Sequence, residues 1–224
     1  MSLKERFSCI SLVRDYYSFF SIYYECTSRT KFLRNRWIPN FPKNIYWPVH
    51  QRSEVRGNIL IGKGARVGHR PGCVIQGRGV VFIGDYVEIG PNCMVISGNH
   101  DLYNQNDVVR RETIIGDYCW LASSCIILAG VVLGPRTIVA AGSVVTKSFS
   151  EGYCIVAGNP AKIIRRLEKE KFVCECPEIE YYGYIREDKF LDYYKKHLSH
   201  IKVSMDLKKV TNDKLLIQCL NTQL

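Results

Sequence analysis

The sequence lacks long apolar runs. No stretch approaches the ~20 consecutive apolar residues that a membrane-spanning helix requires, although hydrophobic residues make up 46% of the 224 positions. The first residues, 1–14, carry charges at Lys4, Glu5 and Arg6 and lack a small-residue cleavage site, so they are not typical of a signal peptide. We therefore expect a globular, cytoplasmic protein with one main domain and extensions.

Dense lysine or arginine runs and paired metal-binding cysteines are also absent. The net charge of +10 attracts anions of many kinds, but without basic runs nothing favours nucleic acid as a partner. Cys174 and Cys176 are too close for zinc-ribbon spacing and have no matching second pair. Other cysteines lie among apolar residues, where a free thiol packs as a small hydrophobe, and they are Cys73, Cys93, Cys119 and Cys125. We expect reduced thiols and no metal site.

What the sequence does have is a six-residue repeat. One aliphatic residue recurs at every sixth position, at Ile115, Leu121, Ile127, Leu133, Val139 and Val145. A period of six fits neither the 3.6 of a helix nor the 2 of a plain strand. It fits a prism of three flat sheets, in which each hexad makes one strand and one turn and three hexads complete a coil. Each coil then buries its core only against its neighbours.

The same period continues upstream with interruptions. Val55, Ile61 and Val67 share one frame and Ile83 and Ile89 another, so extra residues must lie between, and we expect them at residues 69–73. A second interruption, residues 98–113, is polar and has no six-fold pattern. We expect a loop protruding from the prism, and functional residues often lie on loops held by a rigid scaffold.

The chain is therefore predicted to be mainly β, with four parts. Residues 1–52 form a helical and extended N-terminal segment, and residues 53–150 form the β-helix with its loop at 98–113. Residues 151–172 form a closing turn and a capping helix, with Pro160 at its first position. Residues 173–224 form an extension of unknown role, with a helical pattern at 188–200.

The hexads of residues 115–150, the loop sequence Asn99-His100-Asp101 and the closing segment 156–165 resemble the hexapeptide-repeat acyltransferases. The chain looks most like the galactoside, maltose and nodulation O-acetyltransferases and the polysaccharide O-acetyltransferases. The resemblance covers about residues 45–170 and implies a left-handed parallel β-helix, acetyl-CoA as cosubstrate and a homotrimer with active sites between subunits. It implies His100 as the general base. Asp101, the next residue along the chain, is a separate candidate for orienting the His100 ring.

The resemblance also implies a set of acetyl-CoA contacts. These are Trp120 along the cleft, Ser123 at the thioester carbonyl, Ala141 at the pantetheine arm, Thr146 and Lys147 near the nucleotide, and Lys162 and Arg165 at the phosphates. Two departures from the family pattern are Ala122, where glycine is commoner, and residues 148–151, where relatives have an acidic residue and prolines. The second departure affects the shape of the adenine end.

The chemistry explains why these residue types are needed. A neutral alcohol is a poor nucleophile until its proton is removed, and a positioned histidine contributes about 10²–10⁴-fold to that step. A backbone N–H near Ser123 would stabilise the negative charge that develops on the thioester oxygen. We therefore expect acetyl transfer to a saccharide hydroxyl. The positive charge and the aromatic N-terminus favour an acceptor that is phosphorylated or presented near a membrane, with peripheral association.

Three alternatives remain open. An N-acetyltransferase acting on an amino sugar or nucleotide-sugar would share the donor site and differ in the acceptor pocket. A β-helix carbonic anhydrase would need three histidines converging on zinc, whereas His69 and His100 have no third partner on the coils. A non-catalytic β-helix scaffold would not bind coenzyme A.

Overall fold

The computed structural model describes residues 44–50, 52–173 and 180–221. Most of this backbone is a solenoid of about five coils of parallel strands with few helices, which confirms the predicted mainly β fold. The expected N-terminal segment, residues 1–52, lies largely outside the described residues. None of the described helices is both long and apolar enough to cross a membrane.

The solenoid strands are short. They are β1 (Glu54–Ile61), β2 (Val74–Ile83), β3 (Glu88–Ile89), β4 (Met94–Ile96), β7 (Glu112–Ile115), β8 (Trp120–Leu121), β9 (Ile126–Ile127), β10 (Val132–Leu133), β11 (Thr137–Val139), β12 (Val144–Val145) and β13 (Cys154–Gly158). Two strands, β5 (Gly98–His100) and β6 (Val108–Arg110), belong to the protruding loop. Strand β14 (Ala161–Arg166) closes the solenoid.

Three faces form the prism. The first face holds β4, β9 and β12 with the first halves of β1 and β2, and the second face holds their second halves with β7 and β10. The third face holds β3, β8, β11 and β13. Leu121 pairs with Val139, and Ile127 pairs with Val145. Partners 18 positions apart correspond to three hexads per coil, as the repeat predicts.

The repeating aliphatic residues form the core. All six positions of the repeat from Ile115 to Val145 are fully buried. On the third face, the buried Ile89 and Val156 of the neighbouring coils continue the column of Leu121 and Val139. Removing one such side chain from water contributes about 1.5–3 kcal/mol. The stacked column, repeated on three faces, therefore holds consecutive coils in register.

Two insertions account for the upstream change of frame. The buried residues Val67, Ile75 and Ile83 are each eight positions apart instead of six. The first pair of extra residues falls within the turn that contains residues 69–73, as expected. The second pair is Arg78–Gly79, which has no counterpart in β1 because Gly57 pairs with Gly77 while Asn58 pairs with Val80. This bulge was not predicted.

Three edges separate the faces. The loop edge, between the first and second faces, holds residues 97–111, 128–130 and 146–148. The arm edge, between the second and third faces, holds residues 62–65, 84–86, 116–118 and 134–136. The Ala141 edge, between the third and first faces, holds residues 90–92, 122–124 and 140–142. Backbone hydrogen bonds stack the turns of this last edge, from the Ser124 N–H to Pro91 O (2.9 Å) and from the Gly142 N–H to Ser123 O (3.0 Å).

The closing segment is a strand, and the prediction of a capping helix over residues 151–172 is wrong. Strand β14 pairs antiparallel with β13 after a turn containing a cis Asn159–Pro160 bond. The last strand of the third face would otherwise leave backbone groups unpaired, and β14 satisfies them. Ile163 and Ile164 are 37% and 64% exposed, so they form no buried stripe over the end of the prism.

A C-terminal arm, residues 180–221, covers the arm edge. It contains a short hairpin of β15 (Tyr181–Tyr182) and β16 (Ile185–Arg186), then helices α1 (Glu187–His197) and α2 (Lys214–Asn221). The helical pattern expected at 188–200 corresponds to α1. The Asp117 N–H donates to Val210 O, and the Asn212 N–H donates to the Asp117 carboxylate. Phe190 stacks on Tyr182 with ring centroids 3.8 Å apart.

The stacked core generates a stability prediction. Leu121→Ala removes a fully buried side chain between two coils and should lower the free energy of unfolding by about 2–5 kcal/mol. Ile138 lies on the outer side of the same face and is only partly buried. Ile138→Ala is therefore the matched control and should lower the free energy of unfolding by clearly less than Leu121→Ala. Denaturant unfolding measures both, and equal losses would contradict the inward stacking.

The arm edge generates a prediction about pH. The pKa of the Asp85 carboxyl is raised from 3.8 to about 9, mainly by burial and also by the nearby Asp213 and Asp117 carboxylates. The Lys63 N–H, which donates to Asp85 Oδ1 at 2.8 Å, acts in the opposite direction. The folded protein therefore binds a proton that the unfolded chain has lost across this pH range. Because the folded state binds more protons, the free energy of unfolding should fall as pH rises from about 4 to about 9.

Asp85→Asn should flatten that dependence, since an amide keeps an acceptor for the Lys63 N–H and does not titrate. Unfolding titrations across this range compare it with wild type. Asp192→Asn removes an exposed carboxylate of α1 and should retain the wild-type slope. An Asp85→Asn variant that keeps the wild-type slope would contradict the raised pKa of Asp85.

Candidate active site

His100 lies on a hairpin that projects from the loop edge. Strands β5 and β6 pair antiparallel, with His100 opposite Val108 and Gly98 opposite Arg110. The connecting turn is ordered by Asp101, whose carboxylate accepts the N–H groups of Tyr103 (2.8 Å) and Asn104 (3.0 Å). A polar segment thus becomes a defined platform because its own side chains supply the hydrogen bonds that regular pairing lacks.

The contacts of the His100 ring determine which nitrogen is free to act. Its Nδ1 lies 2.6 Å from the backbone oxygen of Gln105, and because a carbonyl can only accept, Nδ1 carries the proton and donates. Nε2 is then the unprotonated nitrogen. It accepts from Arg78 Nη1 at 3.4 Å on the solvent-exposed side of the hairpin. This tautomer presents Nε2 as a base toward solvent.

The sequence prediction that Asp101 orients the ring requires its carboxylate to contact His100. The structure places that carboxylate on backbone N–H groups of the turn instead. The carboxylate serves the turn, and the N–H groups of Tyr103 and Asn104 lower the pKa of Asp101. The carbonyl of Gln105 takes the orienting position instead. Asp101 supports His100 indirectly, by fixing the turn that presents this carbonyl. Sequence reasoning missed Gln105 because a backbone oxygen leaves no signal in residue type.

Two predicted coenzyme A residues share the outer surface of the third face. Trp120 is 53% exposed and pairs with Ile138, which pairs with Ile155, which in turn pairs with Arg165 of β14. Direct partners point to the same side of a sheet. Trp120 and Arg165 therefore stand on one outward row, with Ile138 and Ile155 between them.

Other predicted residues lie on the Ala141 edge. Ser123 and Ala141 are exposed on successive turns, and the backbone of the next residue, Gly142, bonds to Ser123. The turn after β13 joins this edge through the Gly158 N–H, which donates to Ser143 Oγ at 3.2 Å. Lys162 follows this turn and is exposed. The positively charged side chain of Lys162 therefore lies near the end of the Ala141 edge.

Thr146 and Lys147 lie on the loop edge, two coils below the hairpin. Both are exposed, and Lys147 Nζ lies 5.9 Å from the centre of the Phe149 ring. They share an edge with His100 and are separated from Ser123 and Ala141 by the first face. A strand of about four residues spans that face, a distance of roughly 13 Å.

The predicted residues therefore lie on two different edges and on the third face of one chain. Among the described residues no group of three or more His, Cys, Asp or Glu side chains is arranged to hold a metal ion. His69, the second histidine considered for zinc, is buried and its Nδ1 lies 2.9 Å from Arg66 O. The six cysteines that the structure describes are buried, and burial raises the pKa of the Cys119 thiol to about 12.

Comparison with known proteins agrees with this architecture. Residues 112–147 match the family model "Bacterial transferase hexapeptide (six repeats)". Galactoside O-acetyltransferase of Lactococcus lactis is 28% identical over 41% of this chain and 46% of its own length. Polysialic acid O-acetyltransferase of Escherichia coli is 33% identical over 54% of this chain and 43% of its own length. The chain spans about half the length of the curated relatives it matches.

A solved structure shows the same fold. The hexapeptide-repeat acetyltransferase VCA0836 of Vibrio cholerae, complexed with acetyl coenzyme A, superposes with a TM-score of 0.55 at 23% identity, covering 67% of this chain and 86% of that one. The resemblance to hexapeptide-repeat acetyltransferases that the sequence suggests is confirmed.

Proposed function

We propose that the chain transfers an acetyl group from acetyl-CoA to a hydroxyl of a saccharide, with His100 as the general base. The match of residues 112–147 to the bacterial transferase hexapeptide model supports an acyltransferase. The observation that carries this proposal is the fixed tautomer of His100. Its Nδ1–H is held by the Gln105 carbonyl, so Nε2 keeps its lone pair, which accepts from the Arg78 guanidinium at 3.4 Å. Without the Gln105 contact either nitrogen could carry the proton.

The proposed reaction is a direct attack. Nε2 of His100 takes the hydroxyl proton as the acceptor oxygen bonds to the thioester carbonyl carbon. The carbon–sulfur bond then breaks, and coenzyme A leaves as a thiol after receiving the proton from the imidazolium. The hydrogen bond from Nδ1 to a carbonyl stabilises the imidazolium in between. A base of this kind contributes about 10²–10⁴-fold to the rate.

The donor is proposed to lie along the Ala141 edge and the adjoining third face. The Ser123 N–H would meet the thioester oxygen, backbone groups near Ala141 would bind the pantetheine arm, and Trp120 would line the cleft. The remaining predicted contacts would serve the nucleotide end and its phosphates, and they are Thr146, Lys147, Lys162 and Arg165. Backbone groups on flat turns suit the thin amide arm, and cations suit the phosphates.

The two-edge arrangement favours a site built between chains. His100 projects away from the prism on the loop edge, whereas Ser123 and Ala141 lie across the first face. A hairpin that projects outward is placed to reach the Ala141 edge of a second copy. We therefore include in the proposal a homotrimer in which each active site combines the loop edge of one subunit with the Ala141 edge of its neighbour.

The base assignment is tested by His100→Ala. Thiol release from acetyl-CoA with a panel of neutral, acidic and amino sugars should fall by about a hundredfold or more. His200→Ala removes another exposed histidine, on the C-terminal arm, and should keep wild-type turnover. Retained activity in His100→Ala would rule out this base, and turnover restricted to amino sugars would replace the hydroxyl acceptor with an amine.

The shared site is tested by mixing two inactive variants. His100→Ala lacks the base, and Ala141→Tyr should block the pantetheine path on the other edge. Co-expressed chains should regain part of the activity, because some sites then combine an intact loop edge with an intact Ala141 edge. Random trimers formed from equal amounts of the two chains should regain about a quarter of wild-type activity, and about a third is the ceiling if every trimer is mixed. If mixtures stay as inactive as the separate variants, both edges must come from one chain.

A further inference from the structure

The hairpin that carries His100 also carries an arginine on the same side. Because directly opposed residues of an antiparallel pair point to the same side, His100 and Val108 share one side with Gly98 and Arg110. Gly98 contributes no side chain, so a gap lies between the imidazole and the Arg110 position. Val109 and Asn99 point to the other side.

A second arginine fills that gap from the solenoid. Arg78 belongs to the two-residue bulge of β2, which has no counterpart in the preceding coil. A Cβ added to Gly98 would lie 2.9 Å from Arg78 Cβ, so the glycine is what lets Arg78 cross the hairpin. Its Nη1 then reaches Nε2 of His100 at 3.4 Å. The insertion and the glycine together deliver a guanidinium to the base.

These two arginines have no carboxylate partner among the residues that the structure describes. The acidic side chains of the same region are engaged elsewhere. Asp101 accepts backbone N–H groups of the turn, Asp107 accepts from the Asn104 amide, and Glu112 accepts from the backbone of the C-terminal arm. Among the described residues, the two guanidinium groups beside His100 therefore have no ion pair to give up when an anion binds.

The Arg78 contact also occupies the position that a substrate needs. The lone pair of His100 Nε2 that accepts from Arg78 is the lone pair that must accept the proton of an attacking hydroxyl. When an acceptor binds, the guanidinium has to turn away from the imidazole. A negatively charged group on the acceptor would give it a new partner within the same gap, in a charge-assisted hydrogen bond.

From this geometry we infer that the acceptor is an anionic saccharide, whose carboxylate or phosphate is bound by Arg78 and Arg110 while its hydroxyl lies on His100. The inference rests on the proposed function and names its acceptor class. Arg78 and Arg110 are specificity residues in this arrangement, and the proton still moves only between the hydroxyl and His100. The coenzyme A phosphates are assigned to other residues, on the Ala141 edge and further along the solenoid.

Arg111 provides a matched control. It adjoins Arg110 and is exposed, but its side chain extends over the neighbouring coil, where its Cδ lies 2.9 Å from a Cβ added to Gly130. Arg111→Gln therefore removes the same charge from the loop base without touching the side of the hairpin that carries His100. It separates a local contact from the general attraction of a basic surface.

The experiment measures kcat/KM by thiol release for two pairs of acceptors. One pair is a uronic acid glycoside and its methyl ester, and the other is a sugar phosphate and its parent sugar. Wild type should favour the charged member of at least one pair by about tenfold or more, and the preferred pair tells carboxylate from phosphate. The double variant R78Q/R110Q should lose that preference through a higher KM for the charged acceptor, whereas R111Q should keep most of it.

Several results would overturn the inference. They are equal use of charged and neutral acceptors by wild type, an unchanged preference in R78Q/R110Q, or a loss that appears in the KM for acetyl-CoA. If His100→Ala abolishes turnover while R78Q/R110Q keeps the wild-type preference for charged acceptors, the proposed function stands and this inference fails. If no acceptor in the panel is turned over, calorimetry measures the binding of the charged sugars to the CoA-bound protein. Equal affinities of wild type and R78Q/R110Q would then contradict the inference.

Discussion

The stacking of one aliphatic side chain per face and per coil is the constraint on which the structure depends. Leu121 between Ile89 and Val139 is one such stack, and partners 18 positions apart repeat it on every face. Because each coil buries its core only against its neighbours, the inward column must be kept from coil to coil, even where residues are inserted between inward positions. The inward positions are fixed by this rule, so chemistry is left to outward rows, edges and insertions.

The departures from the six-residue rule carry the candidate site. The hairpin of β5 and β6 leaves the solenoid at the loop edge and brings His100 outward. The bulge at Arg78–Gly79 adds two residues one coil earlier, and its arginine meets the same histidine. A regular solenoid gives a rigid frame. An insertion that emerges at an edge of that frame lowers the stability of the fold only slightly, because it disturbs no stacked side chain.

The edges differ in what surrounds them. The arm edge is covered by residues 180–221, which bond to Asp117, and the carboxyls of Asp85 and Asp213 are buried. The loop edge and the Ala141 edge carry the residues assigned to catalysis and to the donor. Since one chain keeps these two edges apart across the first face, the proposed chemistry is tied to assembly, and the covered edge is the one that the proposed site does not use.

The sequence by itself determined the coil, the core positions and the place of the loop, because a local six-residue period is visible without knowledge of distant contacts. It also pointed to His100 as the histidine on that loop. Only the tertiary structure decided that the closing segment is strand β14, since the unpaired edge of β13 outweighs the helical preference that Pro160 suggested. The position of the C-terminal arm, the Gln105 carbonyl on the imidazole and the Arg78 guanidinium also depend on contacts between residues separated along the chain or made by the backbone. Such contacts leave no periodic signal, and the fold had to bring them together before they could be seen.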